Sequence, residues 1–404
     1  MASPNLTSVD DALAHLLGQA AVITRTETVS LADSLGRILA EDHFVPADVP
    51  PADNSAVDGY AVCQIDVAPG QPLTVSDRIP AGVAPRPLQP GTAVRIFTGS
   101  EIPAGADAVV MQERVERAGD DIFIQASVER GQNIRRRGQD LSRGDLALAK
   151  GTRIRPQEMG LLASMGISGV PVLARLKVAI LTTGDELVEP GEPLAPGQIY
   201  NTNRFTLLGL LAEAGCEVVQ CETLEDTREA TWNTLKAAAA SADLIISSGG
   251  VSVGEEDHVR AVLEASGKLS LWRLAIKPGK PLAFGDVDGT PVLGLPGNPA
   301  AVLVTFMVIG MPYIRKCQGR PALHSTGEQL PADFEVASPS IRREFVRGRK
   351  EGVGADAKVA AFPNQSSGVL SSACWGTGLA VVPENTMVKA GDSIMYYSFA
   401  ELLS

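Results

Sequence analysis

Between residues 178 and 317 three short apolar runs each pass into a polar, glycine-bearing loop, and this repetition restricts the fold more than any other feature of the chain. The first, Val178-Ala179-Ile180-Leu181, ends on Thr182, Thr183, Gly184, Asp185 and Glu186. The second, Leu244-Ile245-Ile246, ends on Ser247-Ser248-Gly249-Gly250, ahead of a helix expected near Asp257. The third, IKPGKPLAFGDVDGTPVLGLPGNPAAV, holds Lys277 and Lys280 in a Pro/Gly turn, a hairpin signal at Asp288-Gly289, and Asn298-Pro299 opening an apolar helix. Unbroken apolar runs of this length fit strands buried on both faces, and Asn followed by Pro is a helix-start signal. Loops leaving the carboxyl ends of such strands gather at one sheet edge, where ligands bind. Carboxylates there suit Mg2+, while lysines and exposed backbone N–H groups suit anions, so an oxyanionic or phosphorylated substrate is expected.

A chain of 404 residues is too long for one ordinary domain. The fold class expected is multidomain α/β: an N-terminal α+β domain (residues 1–50 and 146–176), an inserted small β domain (51–145), a central α/β domain (177–325) and a C-terminal β domain (326–404). A formal charge of -12 opposes general nucleic-acid binding, since counterion release needs a basic surface. The N-terminus lacks the basic and apolar segments of a signal peptide, and the apolar stretch 300–311 is too short to span a bilayer, so no membrane association and a cytoplasmic location are expected. The five cysteines contain no CxxC and read as buried thiols, and the four histidines have no zinc-ligand spacing.

Ser8 and the acidic residues after it resemble a capping box for a helix stopping near Gly18. A strand over 26–31 and a helix over 34–41 follow. Short β segments with many Gly and Pro fill 70–145. Asn201 or Asn203 can cap a helix over 204–214, and Asp226 one over 228–240. Residues 334–403 read as short strands.

No GxxxxGK[ST] or GxGxxG occurs, and no Ser/His/Asp triad can be assembled without arbitrary choice, which removes P-loop kinases, Rossmann dehydrogenases and serine hydrolases. Asp185-Glu186, placed after a buried strand, favours function over a solvated loop pair. Asp226 and Asp257 also fit ordinary helix-start roles. Lys277 and Lys280 in one rigid turn favour anion binding. Arg135-Arg136-Arg137 fits a solvated face, and residues 53–60 fit either local turn chemistry or a site.

The strings DNSAVDGYA (53–61), RIFTGSEIPAGADAVV (95–110), NIRRRGQDL (133–141), TGDEL (183–187), SGGVSVGEEDH (248–258), IKPGKP (276–281) and LPGNP (295–299), in this order, make the whole chain resemble the MoeA family of molybdopterin molybdenumtransferases. The resemblance implies insertion of molybdate into adenylylated molybdopterin with Mg2+ as cofactor, releasing AMP and molybdenum cofactor. It implies a homodimer with its site between chains, and molybdopterin adenylyltransferase as substrate donor. Carried over residue by residue, Asp58, Thr98, Asp140, Glu186, Asp226 and Asp257 are the catalytic set, with Glu186, Asp226 and Asp257 as metal ligands. Ser248, Gly249, Gly250, Ser252, Arg273, Lys277, Lys280, Pro296, Pro299, Arg347 and Ser367 are the substrate-binding set. Gln139, Arg273 and His258 stand where the family often has Glu, Lys and Tyr. Alternatives are the adenylylation step itself, which needs only the α/β unit, and a scaffolding role like that of receptor-clustering relatives.

Overall fold

The apolar runs form the middle of a six-stranded mixed sheet in a computed structural model that describes residues 6–225, 227–251, 258–265 and 269–404. Its order is Glu217–Leu224, Lys177–Thr183, Leu244–Ser248, Thr290–Leu295, Pro281–Val287, Ser270–Arg273. The first four strands are parallel, and Pro281–Val287 runs antiparallel to both of its neighbours. Successive side chains of a strand point to opposite faces. Val178, Ile180, Leu244, Ile246, Leu293 and Leu295 accordingly join one core, and Ala179, Leu181, Ile245 and Val292 the other. Both faces are dry, which is why these strands read as continuous apolar runs. At the hairpin, Asp288 and Gly289 both have positive φ (50° and 91°), the pair that a two-residue primed turn needs.

Helices cover each face. Thr202–Glu213 and the helical run from Pro299 to Cys317 pack on the first core, and Arg228–Ser241 and His258–Ala265 on the second. The N-terminal helix Val9–Gln19, capped by Ser8 Oγ accepting from the Asp11 N–H, inserts Val9, Leu13 and Leu16 into the first core as well. The 19-residue run 299–317 is longer than its apolar core alone indicated, and its length and mean hydropathy of 1.4 would suffice to cross a bilayer. Its most apolar window is 83% buried, as in a central core helix. A π-helical turn, Phe306–Gly310, precedes Pro312, whose ring cannot supply the regular helical N–H.

Between the first helix and the sheet, the chain runs out and back as a nested antiparallel stem. Thr26–Ser30 pairs with Gly169–Leu173, His43–Phe44 with Leu146–Leu148, Val49 with Leu141, and Asn54–Ser55 with Ile134–Arg135. Beyond the stem lies a second six-stranded sheet within residues 59–124. The helix expected over 34–41 does not form. Gly36 takes φ 75°, and Ile38 and Leu39 bridge to Arg153 and Val172, so pairing with the returning strand overrides local helix preference.

The C-terminal sheet is joined to the α/β unit through backbone. Ile276–Lys277 pairs in parallel with Arg343 and Glu344 of the strand Arg343–Glu351. Of the cysteines expected to be buried, Cys216 and Cys317 are, and burial pushes each thiol up to about 12, whereas Cys374 is exposed.

Candidate active site

Parallel strand order brings the three polar loops to one edge, where they surround a cavity of about 910 Å³. Gly184 and Glu186 line it from the first loop, Ser248, Gly249 and Gly250 from the second, and Lys280 with Pro296–Pro299 from the third. Gly249 has φ 89°, and a Cβ there would lie 2.7 Å from Thr183 Oγ1 and 2.8 Å from the Thr183 carbonyl oxygen. Only glycine allows this approach of the first and second loops. Lys280 and Glu186 are exposed, and neither has an ion-pair partner among the described residues. Among the described residues, the cavity thus holds a cation and a carboxylate that no side chain of opposite charge offsets.

Two asparagines hold the edge together. Asn201, 1% exposed, donates from Nδ2 to Thr182 Oγ1 (2.8 Å) and Thr223 Oγ1 (3.2 Å), while its Oδ1 accepts from the Arg204 N–H, making it the cap of Thr202–Glu213. Asn203 reaches instead to the second and third loops, donating to Ser248 Oγ (2.9 Å) and the Gly297 carbonyl (2.6 Å). The Ser248 hydroxyl donates onward to the Pro296 carbonyl at 3.2 Å, so this expected substrate contact faces inward.

The C-terminal unit closes one wall with Arg342 and Ser367. The Ser367 carbonyl accepts from the Ala300 N–H at 2.9 Å, occupying a donor at the start of the long helix. Arg347 supports that loop from beneath: it is 1% exposed and donates to Ser372 Oγ (3.0 Å) and the Ser366 carbonyl (2.9 Å). Burial pulls its guanidinium down to about 10, which leaves it charged at neutral pH. Arg347 therefore reaches the cavity only through the loop it holds.

Lys277, expected to bind an anion from the Pro/Gly turn, instead pairs its Nζ with both Glu344 oxygens (3.0 and 3.1 Å) beside the cavity rather than in it. Arg273 ends the edge strand with its side chain exposed. Asp226, Ser252 and Asp257 lie outside the described residues. The helix Arg228–Ser241 is capped by Thr227 Oγ1, which accepts from the Ala230 N–H, in place of the expected Asp226.

The first three sequence motifs are placed elsewhere, with Asp58, Thr98 and Asp140 outside the cavity lining. Asp58 Oδ1 accepts from the Thr98 N–H and Oγ1–H, both at 2.8 Å, and these bonds, backbone first, hold its carboxyl below the usual range. Asp140 is exposed and its N–H donates to the Val49 carbonyl at 3.0 Å. Arg136 and Arg137 pair with Asp53 and Asp48 across the turn, so the arginine run is tied into the stem. Sequence reasoning passed over Arg342 and the bridging use of Asn203. Asn203 was visible only as a possible helix cap, and nothing near Arg342 marks it.

A cavity at the carboxyl edge of a mixed α/β sheet, with glycine loops and, among the described residues, a lysine and a carboxylate that form no ion pair, defines an α/β unit built to bind an anionic ligand. Three family descriptions match in order: "MoeA N-terminal region (domain I and II)" over residues 7–166, "Probable molybdopterin binding domain" over 179–316, and "MoeA C-terminal region (domain IV)" over 329–399. The molybdopterin molybdenumtransferase of Haemophilus influenzae is 45% identical over 78% of this chain and 78% of its own length. That of Nostoc sp. is 38% identical over 92% and 88%. The crystal structure of the molybdopterin biosynthesis moeA protein from Pyrococcus horikoshii OT3 superposes with TM-score 0.84 at 32% identity, covering 97% of this chain and 100% of that one. The chain belongs to the MoeA family.

Proposed function

We propose that this chain is the enzyme that inserts molybdate into adenylylated molybdopterin, releasing AMP and completing molybdenum cofactor. The observation that carries the reading is the presence of Lys280 and Glu186, neither with an ion-pair partner among the described residues, on glycine-bearing loops lining one cavity of about 910 Å³. The substrates are anions, a pyrophosphate-linked pterin and a metal oxyanion. Gly249 and Gly250 let backbone approach phosphate oxygens, and Lys280 offsets their charge. Pro296 and Pro299 fix the facing loop, and Ser367 with Arg342 closes the wall.

Mg2+ usually binds through one or two carboxylates plus substrate phosphates, and Glu186, a hard oxygen donor paired to no cation among the described residues, fits that role. Among the described residues no three metal-ligating side chains cluster, so Asp226 and Asp257 are proposed to join Glu186 in holding the ion. Bound there, Mg2+ supplies charge neutralisation of the phosphate oxygens. Asp58, Thr98 and Asp140 are proposed to complete the site from a second copy of the chain in a homodimer. The adenylylated pterin would come from molybdopterin adenylyltransferase, in the cytoplasm.

Purified protein supplied with adenylylated molybdopterin, Mg2+ and molybdate is expected to release AMP only when molybdate is present. Glu186→Gln should lower that rate at least about tenfold, roughly 1.4 kcal/mol of barrier, with unchanged thermal unfolding. AMP release independent of molybdate, or full turnover by the variant, would contradict the reading.

A further inference from the structure

Asn203 stands at the second position of the helix Thr202–Glu213, where an asparagine is readily taken for part of a cap. The capping is done by Asn201, and Asn203 has a different task. Its amide sits between two loops distant in sequence, one hydrogen directed to Ser248 Oγ and the other to the Gly297 carbonyl. The direction of this chain is fixed chemically. The Gly297 carbonyl can only accept, and the Ser248 hydroxyl gives its single hydrogen to the Pro296 carbonyl, so it too must accept from Asn203. Both N–H bonds of the amide are thereby used, and Oδ1 is left buried without a hydrogen-bond partner among the described residues. An unmet buried acceptor is costly and uncommon in native proteins, so its retention calls for a reason.

We propose that Asn203 is a positioning residue for the reaction, fixing the separation of the Ser248–Gly250 and Pro296–Pro299 loops so that the substrate's anionic groups meet both at once. The proposal rests on the function inferred above. The Ser248 hydroxyl already meets the Pro296 carbonyl and the Gly249 N–H the Leu295 carbonyl; the Asn203 amide adds a clamp from a third element, holding Ser248 Oγ and extending the tie outward to the Gly297 carbonyl. A small misplacement of either loop is enough to lower turnover, because orientation is lost before binding is.

The test uses the full chain with Asn203→Ala, Asn203→Asp and Ser248→Ala. Hydrogen exchange at the amides of 249–250 and 297–298 is expected to quicken about tenfold in Asn203→Ala, while the buried strand Leu244–Ser248 keeps its protection. Ser248→Ala, which retains the bond to Gly297, should loosen the loops less. The aspartate variant supplies a readout that a space-filling role would not move. As a carboxylate it sets oxygen against two acceptors, and those neighbours raise its pKa; once protonated, it can donate again. Loop protection and the kcat of molybdate-dependent AMP release should therefore recover in Asn203→Asp as pH falls from about 8 to about 6, relative to Asn203→Ala. The kcat should fall about tenfold in Asn203→Ala, with a smaller change in KM. Unchanged exchange at both loops, or loosened loops with wild-type kcat, would overturn the proposal. If wild-type protein releases no AMP, the functional reading fails, while the exchange pattern and its pH recovery still decide whether Asn203 holds the loops.

Discussion

The α/β unit and the β unit with its stem both place Asp, Thr and Gly where strands end, but the two use such groups differently: in the first they line a cavity, in the second they bond to one another. Around the cavity, Glu186 and Lys280 have no ionic partner among the described residues. In the β unit and its stem, Asp58 is bonded twice to Thr98, Asp53 to Arg136 and Arg137, and Asp48 to Arg137 and Arg143. Short polar side chains that satisfy their neighbours build a shape, whereas those left unsatisfied beside space are ready for a ligand. The difference separates a surface that is presented from a site that is filled.

The sharpest way to break this contrast is to mix two inactive proteins. Asp58→Asn and Glu186→Gln should each lower AMP release at least about tenfold alone. If the β unit completes a site on a second copy, random pairing in equal mixture restores about a quarter of wild-type sites, because half of the dimers are mixed and each holds one intact site. No recovery after subunit exchange would place both groups in the same chain's site.

Gly249→Ala tests the close approach inside the cavity. The added Cβ meets the Thr183 carbonyl in a left-handed backbone, and a loss of about 1–3 kcal/mol in stability is expected together with loss of turnover. A melting curve superimposable on wild type would show that the loops have slack.

A smaller contrast lies between the two lysines of one turn. Lys280→Ala should weaken ligand binding by about 1.5–3 kcal/mol, the scale of a charge-assisted contact. Lys277→Ala should instead lower stability by about 1 kcal/mol or less by unpairing Glu344, with affinity nearly retained. Calorimetric binding and unfolding of both variants distinguish them, and equal losses of affinity would put Lys277 at the ligand.

The smallest effect expected is with acid. Arg343 beside Asp10 holds that carboxyl below its ordinary value, outweighing the opposing effect of burial, and the bridge ties the first helix to the C-terminal sheet. A depressed folded-state pKa gives stability that is present above the unfolded value of about 3.9 and is lost as pH falls through the folded value. Asp10→Asn should remove that part of the acid dependence and leave the unfolding midpoint at pH 7 slightly lower. An identical acid limb in the variant would exclude the bridge as its source.

What the sequence disclosed follows the range of the forces involved. Val178 to Leu181 and Leu244 to Ile246 were legible as strands because burial on both faces writes itself into consecutive residues. Ser8 was legible as a cap, and Asn201 as one of two candidates with Asn203, because their partners lie three residues away. The false helix over 34–41 came from the same local reading, where bridges to Arg153 and Val172 decide the backbone. Asn203 acts on groups 45 and 94 positions away, and Lys277 on one 67 positions away. No local pattern encodes such partners, so their roles became visible only once the loops were placed together. The motif strings carried the family, and with it the cavity, but not the internal direction of the Ser248 hydroxyl.

The short pairing of Ile276–Lys277 with Arg343 and Glu344 has a consequence for how this chain can be divided. Cutting after the long helix would not free an independent α/β module. It would bare the unpaired backbone of residues 276–277, unpair Lys277, strip the Ala300 N–H of the Ser367 carbonyl, and remove one wall of the cavity. An exposed strand edge beside the apolar Ile276 invites self-association. A truncated protein ending near residue 325 would therefore be prone to aggregate, and the separately expressed C-terminal segment could cure it by adding its strand back in trans.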